Sequence, residues 1–218
     1  LVDFDETAAE QNVAELLLER FGVGEWEELR DRFRQGRLTL QEYQERVFSQ
    51  VQASPAEMGR YAAEHANLRP GFLDLLRYCN AHEIQVAIVT YGLDFYVDAL
   101  LKSNEVADAA QVFAVGTQVL GSGLDFLYPY ANPACVGWGN CKCRVLERFR
   151  IQGMGIIYVG DGRSDFCPAA KADAVFARGP LLEHCRERGI AHQGFEDFHV
   201  VLAAVENGLP LGPGPSLA

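Results

Sequence analysis

Leu1-Val2-Asp3-Phe4-Asp5-Glu6-Thr7 is the stretch from which the fold is read. The apolar pair Leu1-Val2 reads as the end of a buried strand, so Asp3 and Asp5 stand where strand gives way to loop. In an open α/β sheet, that carboxyl edge is where ligands bind. Two residues apart on an extended chain, the two carboxylates share a face. Carboxylates that close repel each other and raise one pKa unless a cation lies between them. The arrangement suits a metal, or a nucleophile beside an acid. Taken alone, D-x-D-x-T fits a solvated turn equally well, so the rest of the chain has to decide.

Working outward, the next sixty residues carry only helical patterns. Ala8 to Phe21 places Val13, Leu16, Leu17 and Leu18 at helical spacing and stops at Gly22. Trp26 to Phe33 is a second short amphipathic helix. Thr39 caps a third through Leu40, Tyr43, Val47 and Phe48, and Ser54-Pro55 opens a fourth. From Arg69-Pro70-Gly71 onward helix and strand alternate. Helix Phe72–Cys79 precedes a strand over Ile84–Val89, which stops at Thr90-Tyr91-Gly92, and helix Leu93–Leu101 follows. Val112–Val119 and Leu124–Tyr128 form a hairpin about Gly121-Ser122-Gly123. A helix from Cys141 to Phe149 leads to strand Gly155–Val159 and then Gly160-Asp161-Gly162. Helix 164–171, strand Ala174–Phe176, helices 180–188 and 196–206 and a loose tail from Pro210 complete the chain. Such alternation predicts an α/β fold, a Rossmann-like parallel sheet with helices on both faces. A small helical cap over 9–69 is inserted between core segments 1–8 and 70–218.

Composition narrows the function. At 218 residues with 49% apolar content, the chain suits one medium domain with an insert. A net charge of −11 argues against nucleic acid. No apolar run approaches the roughly 20 residues that span a bilayer. Six scattered cysteines suit reduced thiols and a cytoplasmic location. No signal peptide is expected, and a chain starting inside a strand is expected to lack a few native residues before Leu1. Oligomeric state is not legible. Cys135, Cys141 and Cys143 could ligate zinc with one further partner, although C-x5-C-x-C is not a usual zinc spacing.

Polar groups recur wherever a strand ends: Asp3 and Asp5, then Thr90, then Asp161 with Asp165, while Lys142 opens an intervening helix. A parallel sheet gathers these ends at one edge. Carboxylates, a hydroxyl, a lysine and Gly-rich turns together describe a Mg²⁺-dependent phosphoryl-transfer site. In this order DFDET, VTYG, CKCRVL and GDGRSDFCPA resemble the four motifs of the haloacid dehalogenase superfamily of phosphatases, and the insert resembles its C1-type cap. The resemblance implies Asp3 as nucleophile, forming an aspartyl phosphate, and Asp5 as general acid and base. It implies that Thr90, with the backbone N–H groups of Tyr91 and Gly92, binds phosphate and that Lys142 balances charge. Mg²⁺ would be held by Asp3, the Asp5 carbonyl and Asp161, with Asp165 supporting that shell.

DFDET, NCKCRVL and VGDGRSDFCP are similar to phosphoethanolamine/phosphocholine phosphatases. TYGLDFYVDALL and FARGPLLEHCRERGIAHQGFEDF look more like methionine-salvage phosphatases acting on 2-hydroxy-3-keto-5-methylthiopentenyl 1-phosphate, which are close to phosphoserine phosphatases. The expected function is hydrolysis of a small phosphomonoester, with the methionine-salvage type first. A phosphotransferase or mutase, or a non-catalytic phosphate-binding protein, would use the same fold. Glu6 departs from the small residue, often Gly, that the superfamily carries there. With Gln11 and Asn12 at the start of the cap it is expected to line the substrate pocket.

Overall fold

The computed structural model describes residues 1–120 and 123–208. Its centre is Val2, which bridges Ile88 on one side and Val159 on the other, both in parallel. The Val2 N–H donates to the Ala87 carbonyl at 2.8 Å, and the Asp3 N–H donates to the Val159 carbonyl at 2.9 Å. The expected first strand is therefore barely longer than one residue, yet it joins the two halves of the sheet.

To one side lie β1 (Ala87–Leu93), β2 (Gln111–Leu120) and β3 (Gly123–Leu127) in that order. To the other lie β4 (Ile157–Gly160), β5 (Ala174–Ala177) and β6 (Gln193–Gly194). β1 pairs with β2, β4 with β5 and β5 with β6 in parallel; the distal half of β2 turns to pair antiparallel with β3. The expected hairpin is thus present, while its turn residues Gly121-Ser122 lie outside the described residues, as does the expected tail from Pro210.

Two strand expectations need correction. β1 starts at Ala87 instead of Ile84, because Ile84 is an exposed residue before the strand. It also runs on through Thr90-Tyr91-Gly92 to Leu93, with a register shift against β2 between Val89 and Leu93. Such an irregularity bends a strand and re-aims its side chains. The short β6, edge partner of β5, has no periodic signal in two residues and was not expected.

Of the helices, α1 (Val13–Phe21), α2 (Trp26–Arg34), α3 (Leu40–Phe48) and α4 (Pro55–His65) follow the opening turn. α1 begins at Val13, not Ala8: Asn12 caps it by accepting from the Glu15 N–H. Residues 8–9 instead belong to the stem of the insert. There Ala9 bridges Leu68 antiparallel, the Arg69 N–H donates to the Ala8 carbonyl, and the Glu10 N–H donates to the Asn67 carbonyl. The way into the four helices is thereby tied to the way out. Thr39 caps α3 in a reciprocal box with Glu42, and Ser54 caps α4 with Pro55 in its first turn, as the sequence signals require.

The remaining helices are α5 (Phe72–Ala81), α6 (Asp94–Ser103), α7 (Lys142–Arg150), α8 (Phe166–Ala169), α9 (Gly179–Arg188) and α10 (Phe198–Glu206). The helix expected over 164–171 is a tight turn over Arg163–Asp165 followed by the short α8. One large apolar cluster links Val2, Phe4, Ile88, Leu93 and Tyr96 with insert residues Val13, Leu17 and Phe48. A smaller one packs α7 on the other face of β1 and β2 through Val89, Phe113, Val145 and Phe149. Among the described residues, no helix is long and apolar enough to cross a membrane.

Candidate active site

Where Val2 leaves the sheet, Phe4–Ala8 makes a wide turn closed by the Ala9 N–H on the Phe4 carbonyl at 2.8 Å. Asp3 stands before it, 7% exposed. Its Oδ1 accepts from the Phe4 N–H at 2.8 Å and from Lys142 Nζ at 2.7 Å. Among the described residues, its Oδ2 accepts nothing. One oxygen is clamped and the other is open.

Lys142 reaches this point because Cys141-Lys142 opens α7 beneath the same sheet edge. Buried at 2% exposure, it donates to Asp3 Oδ1 and Asp165 Oδ1, both at 2.7 Å, and to Ser164 Oγ at 3.2 Å. Its three N–H bonds are therefore all used. Burial alone would lower its pKa, but the Asp165 and Asp3 carboxylates prevail and hold it charged. Lys142 Nζ also lies 5.1 Å from the centre of the Tyr91 ring.

Asp165 is completely buried. Its Oδ1 accepts from Lys142 and from the Tyr158 hydroxyl at 2.7 Å; its Oδ2 accepts from the Asp161 and Gly162 N–H groups at 3.1 and 3.0 Å. Burial pushes its pKa up, but Lys142 and these donors hold it below the usual carboxylate range. With both oxygens occupied, Asp165 holds the Gly160-Asp161-Gly162 turn. Asp161 is different: Oδ1 accepts from the Thr7 hydroxyl at 2.8 Å, and Oδ2 is free among the described residues. Burial and the neighbouring Asp165 charge raise Asp161 to about 6. Burial and Asp165 likewise raise Asp3 well above the ordinary value, against the pull of Lys142.

Oxygens from Asp3, Asp161 and Asp165 lie within 4.8 Å of one another. Against three carboxylates there is one lysine, and Asp3 and Asp161 each keep one oxygen without a donor among the described residues. That donor set, hard and under-neutralised, fits a hard divalent cation such as Mg²⁺. Among the described residues, no other set of such ligands gathers. Cys143 Sγ contacts Cys167 Sγ at 2.8 Å, and among the described residues no three thiols lie within 4.8 Å of one another.

Asp5 lies on the other side of the turn. Its Oδ1 accepts from the Val13 N–H and its Oδ2 from the Tyr96 hydroxyl, both at 2.8 Å. Burial raises its carboxyl to about 6 in spite of these donors. Gly92 permits the approach: a Cβ there would stand 2.3 Å from the Tyr96 hydroxyl and 2.8 Å from Asp5 Oδ2. Buried Thr90 accepts from the Gly92 N–H at 2.9 Å on Oγ1. The hydroxyl proton of Thr90 is thereby left to donate outward, while the Gly92 N–H, expected to bind phosphate, is engaged inside the loop. Tyr91 stacks on Trp138 at 5.3 Å, and its carbonyl accepts from Gln44 of α3.

Glu6 has a left-handed backbone, φ 58°. That conformation costs a non-glycine residue about 1–2 kcal/mol. Its carbonyl is gripped by Arg69 at 2.8 Å and Arg178 at 2.9 Å, and Arg69 Nε also donates to the Thr7 carbonyl at 2.7 Å. Two guanidiniums thus hold the strained turn. The Glu6 side chain is exposed and, among the described residues, hydrogen-bonds only Asn12 Nδ2, at 3.4 Å. Asn12 also caps α1, and Gln11 Oε1 accepts from the Asn67 N–H in the stem. All three side chains make local structure. Thr7, Arg69, Arg178, Tyr96 and Tyr158 were not singled out from sequence; the Thr of DFDET was the one available signal.

Residues 1–183 match the family model described as "Putative Phosphatase". The chain is 30% identical over 208 residues to the 2-hydroxy-3-keto-5-methylthiopentenyl-1-phosphate phosphatase of Geobacillus kaustophilus, covering 94% of this chain and 93% of that one. It is 29% identical over 210 residues to the protein of the same name from Bacillus velezensis, covering 95% and 89%. In fold it is similar to a solved phosphoserine phosphatase holding a phospho-aspartyl intermediate analogue, with TM-score 0.68, 20% identity and coverage of 93% and 95%. A haloacid dehalogenase family hydrolase from Salmonella enterica serovar Typhi superposes with TM-score 0.72 at 19% identity, covering 95% and 71%.

Proposed function

Since the chain belongs to the Putative Phosphatase family and is a phosphoric monoester hydrolase, we propose that it cleaves a small phosphomonoester through an aspartyl phosphate on Asp3, with Mg²⁺ bound. The observation carrying this reading is the asymmetry of Asp3. Lys142 and the Phe4 N–H fix Oδ1, and Oδ2 is open at the edge where the Thr90 hydroxyl can donate. Asp3, Asp161 and the Asp5 backbone carbonyl would hold Mg²⁺, with Asp165 and Thr7 bracing the set. When bound, Mg²⁺ supplies positive charge to the phosphoryl oxygens.

Asp3 Oδ2 attacks phosphorus, and the bond from phosphorus to the leaving oxygen breaks. The Asp5 carboxyl gives its proton to that oxygen, so the alcohol departs neutral. Asp5, now a carboxylate, takes a proton from the water that attacks phosphorus, and inorganic phosphate leaves with Asp3 restored. A carboxyl held at about 6 by burial can do both near neutral pH. Tyr96 and the Val13 N–H aim it. The Thr90 hydroxyl holds the transferring oxygens, and the charge of Lys142, fixed on Asp3 Oδ1, balances them.

Residues 9–69 act as the cap on the core of 1–8 and 70–218. The support is that α3 leans on the site: the Gln41 N–H donates to the Gly137 carbonyl, and the Tyr128 hydroxyl donates to Glu45. On the likeness to the bacillary enzymes, the first substrate to try is the methylthio-ketopentenyl phosphate. Phosphoethanolamine, phosphocholine and phosphoserine follow. The test is release of inorganic phosphate from these esters with Mg²⁺, scored by kcat/KM for the wild type and Asp3→Asn. Turnover by Asp3→Asn above about a hundredth of wild type rejects Asp3 as nucleophile.

A further inference from the structure

Gln44 of α3 is buried at 5% exposure, on the face of the insert turned to the strand ends. Its Nε2 donates to the Tyr91 carbonyl at 2.8 Å. A carbonyl only accepts, so the orientation of the amide is fixed and Oε1 must point elsewhere. That Oε1 is sealed from solvent, with no donor among the described residues. Two other buried atoms share this condition, Tyr43 Oη and Arg30 Nε. They lie within the insert, where Tyr43 stacks on Phe33 and has Arg30 for a neighbour. Gln44 alone is anchored to the catalytic edge.

The anchoring is close. The Tyr91 carbonyl shares a peptide unit with the Gly92 N–H, which donates to Thr90 Oγ1 at 2.9 Å. The Gly92 Cα on that unit faces Asp5, since a Cβ there would stand 2.8 Å from Asp5 Oδ2. Gln44 therefore hangs from the peptide beside the carboxyl that protonates the leaving group. Buried amide oxygens without a donor are uncommon because each forfeits a hydrogen bond it had in water. A substrate seated against α3 with a donor near its ester oxygen would restore that bond.

We infer that Gln44 Oε1 is the acceptor that reads a hydrogen-bond donor on the leaving alcohol. The substrate class is then phosphomonoesters with a hydroxyl, an enol or a primary ammonium next to the ester carbon. Plain alkyl esters and quaternary ammonium head groups, which have no proton to give, are disfavoured. The inference rests on the phosphatase reading of this site and narrows its substrates. It ranks phosphoethanolamine above phosphocholine.

The test uses two pairs, 2-hydroxyethyl phosphate against n-propyl phosphate of equal size and phosphoethanolamine against the bulkier phosphocholine, with wild type and Gln44→Leu. Wild type should favour the donor-bearing member of each pair by about tenfold or more in kcat/KM. In Gln44→Leu the two ratios should fall to within about twofold of unity. A Gln44 that merely latched the insert would slow both members alike and leave the ratios standing, which overturns the inference. A wild-type ratio near unity overturns it too, and needs no variant to fold. Absence of turnover on all four esters and on p-nitrophenyl phosphate would instead reject the phosphatase reading.

Discussion

Replacing Lys142 by methionine keeps the length of the side chain and removes its charge. In the native site Nζ lies 2.7 Å from both Asp3 and Asp165, with all three groups buried. Each pair attracts by about 6 kcal/mol at an effective dielectric of 20, before the cost of desolvating the ions is subtracted. Removing one partner of such a pair costs about 3–5 kcal/mol, because the other charge stays buried. Asp165 keeps four donors after the substitution: the Tyr158 and Ser164 hydroxyls and the Asp161 and Gly162 N–H groups. Asp3 keeps only the Phe4 N–H. Its carboxyl, already raised by burial and by Asp165, rises further once the opposing Lys142 charge is gone. The sign follows from linkage: an acid with its folded pKa above its unfolded value of about 3.9 destabilises the fold progressively as pH climbs from the lower value to the higher. Urea unfolding with chelator present should give a deficit of about 3–5 kcal/mol at pH 7.5, shrinking toward pH 5. A deficit under about 1 kcal/mol, or one independent of pH, would refute the claim that Lys142 neutralises Asp3.

Thr7→Val removes the hydroxyl that fixes Asp161, and Mg²⁺ affinity by calorimetry should fall about 10- to 100-fold; unchanged affinity would place Thr7 outside the metal's support. Gly92→Ala drives a methyl into the Tyr96 hydroxyl and Asp5, so kcat should drop by about 100-fold or more while circular dichroism stays native. An unimpaired kcat would show that Asp5 does not need this geometry. Tyr96→Phe withdraws a donor that lowers the Asp5 carboxyl, so the limb of the pH–rate profile set by Asp5 should move to higher pH from its position near 6. A profile that stays in place or moves down contradicts Asp5 as the titrating group.

Local patterns carried the alternation of helix and strand and the caps at Thr39 and Ser54, because each depends on residues within a turn of one another. They misplaced β1. Its apolar run begins early at exposed Ile84, and Gly92 reads as a stop although it is there to admit Tyr96 to Asp5. The first strand could be named but not sized, since Val2 is a strand only through partners 86 and 157 residues away. Gathering Asp3, Thr90 and Asp161 at one edge follows from parallel strands. Their bracing does not: Thr7 finds Asp161, Tyr158 finds Asp165 and Arg69 finds the Glu6 carbonyl across the fold, with no period to announce them. Gln44 shows this most clearly. On a helix that reads as amphipathic it is one more polar residue, and only the closed structure shows its amide buried against Tyr91.

The central claim is a phosphoryl group carried on Asp3. Rapid acid quench of the enzyme turning over ³²P-labelled substrate, followed by peptide mapping, tests it most directly. The account predicts label on the N-terminal peptide at Asp3, formed and lost fast enough to support kcat, and absent in Asp3→Asn. Phosphate release by the wild type with no labelled peptide, or with label on any other residue, would contradict it.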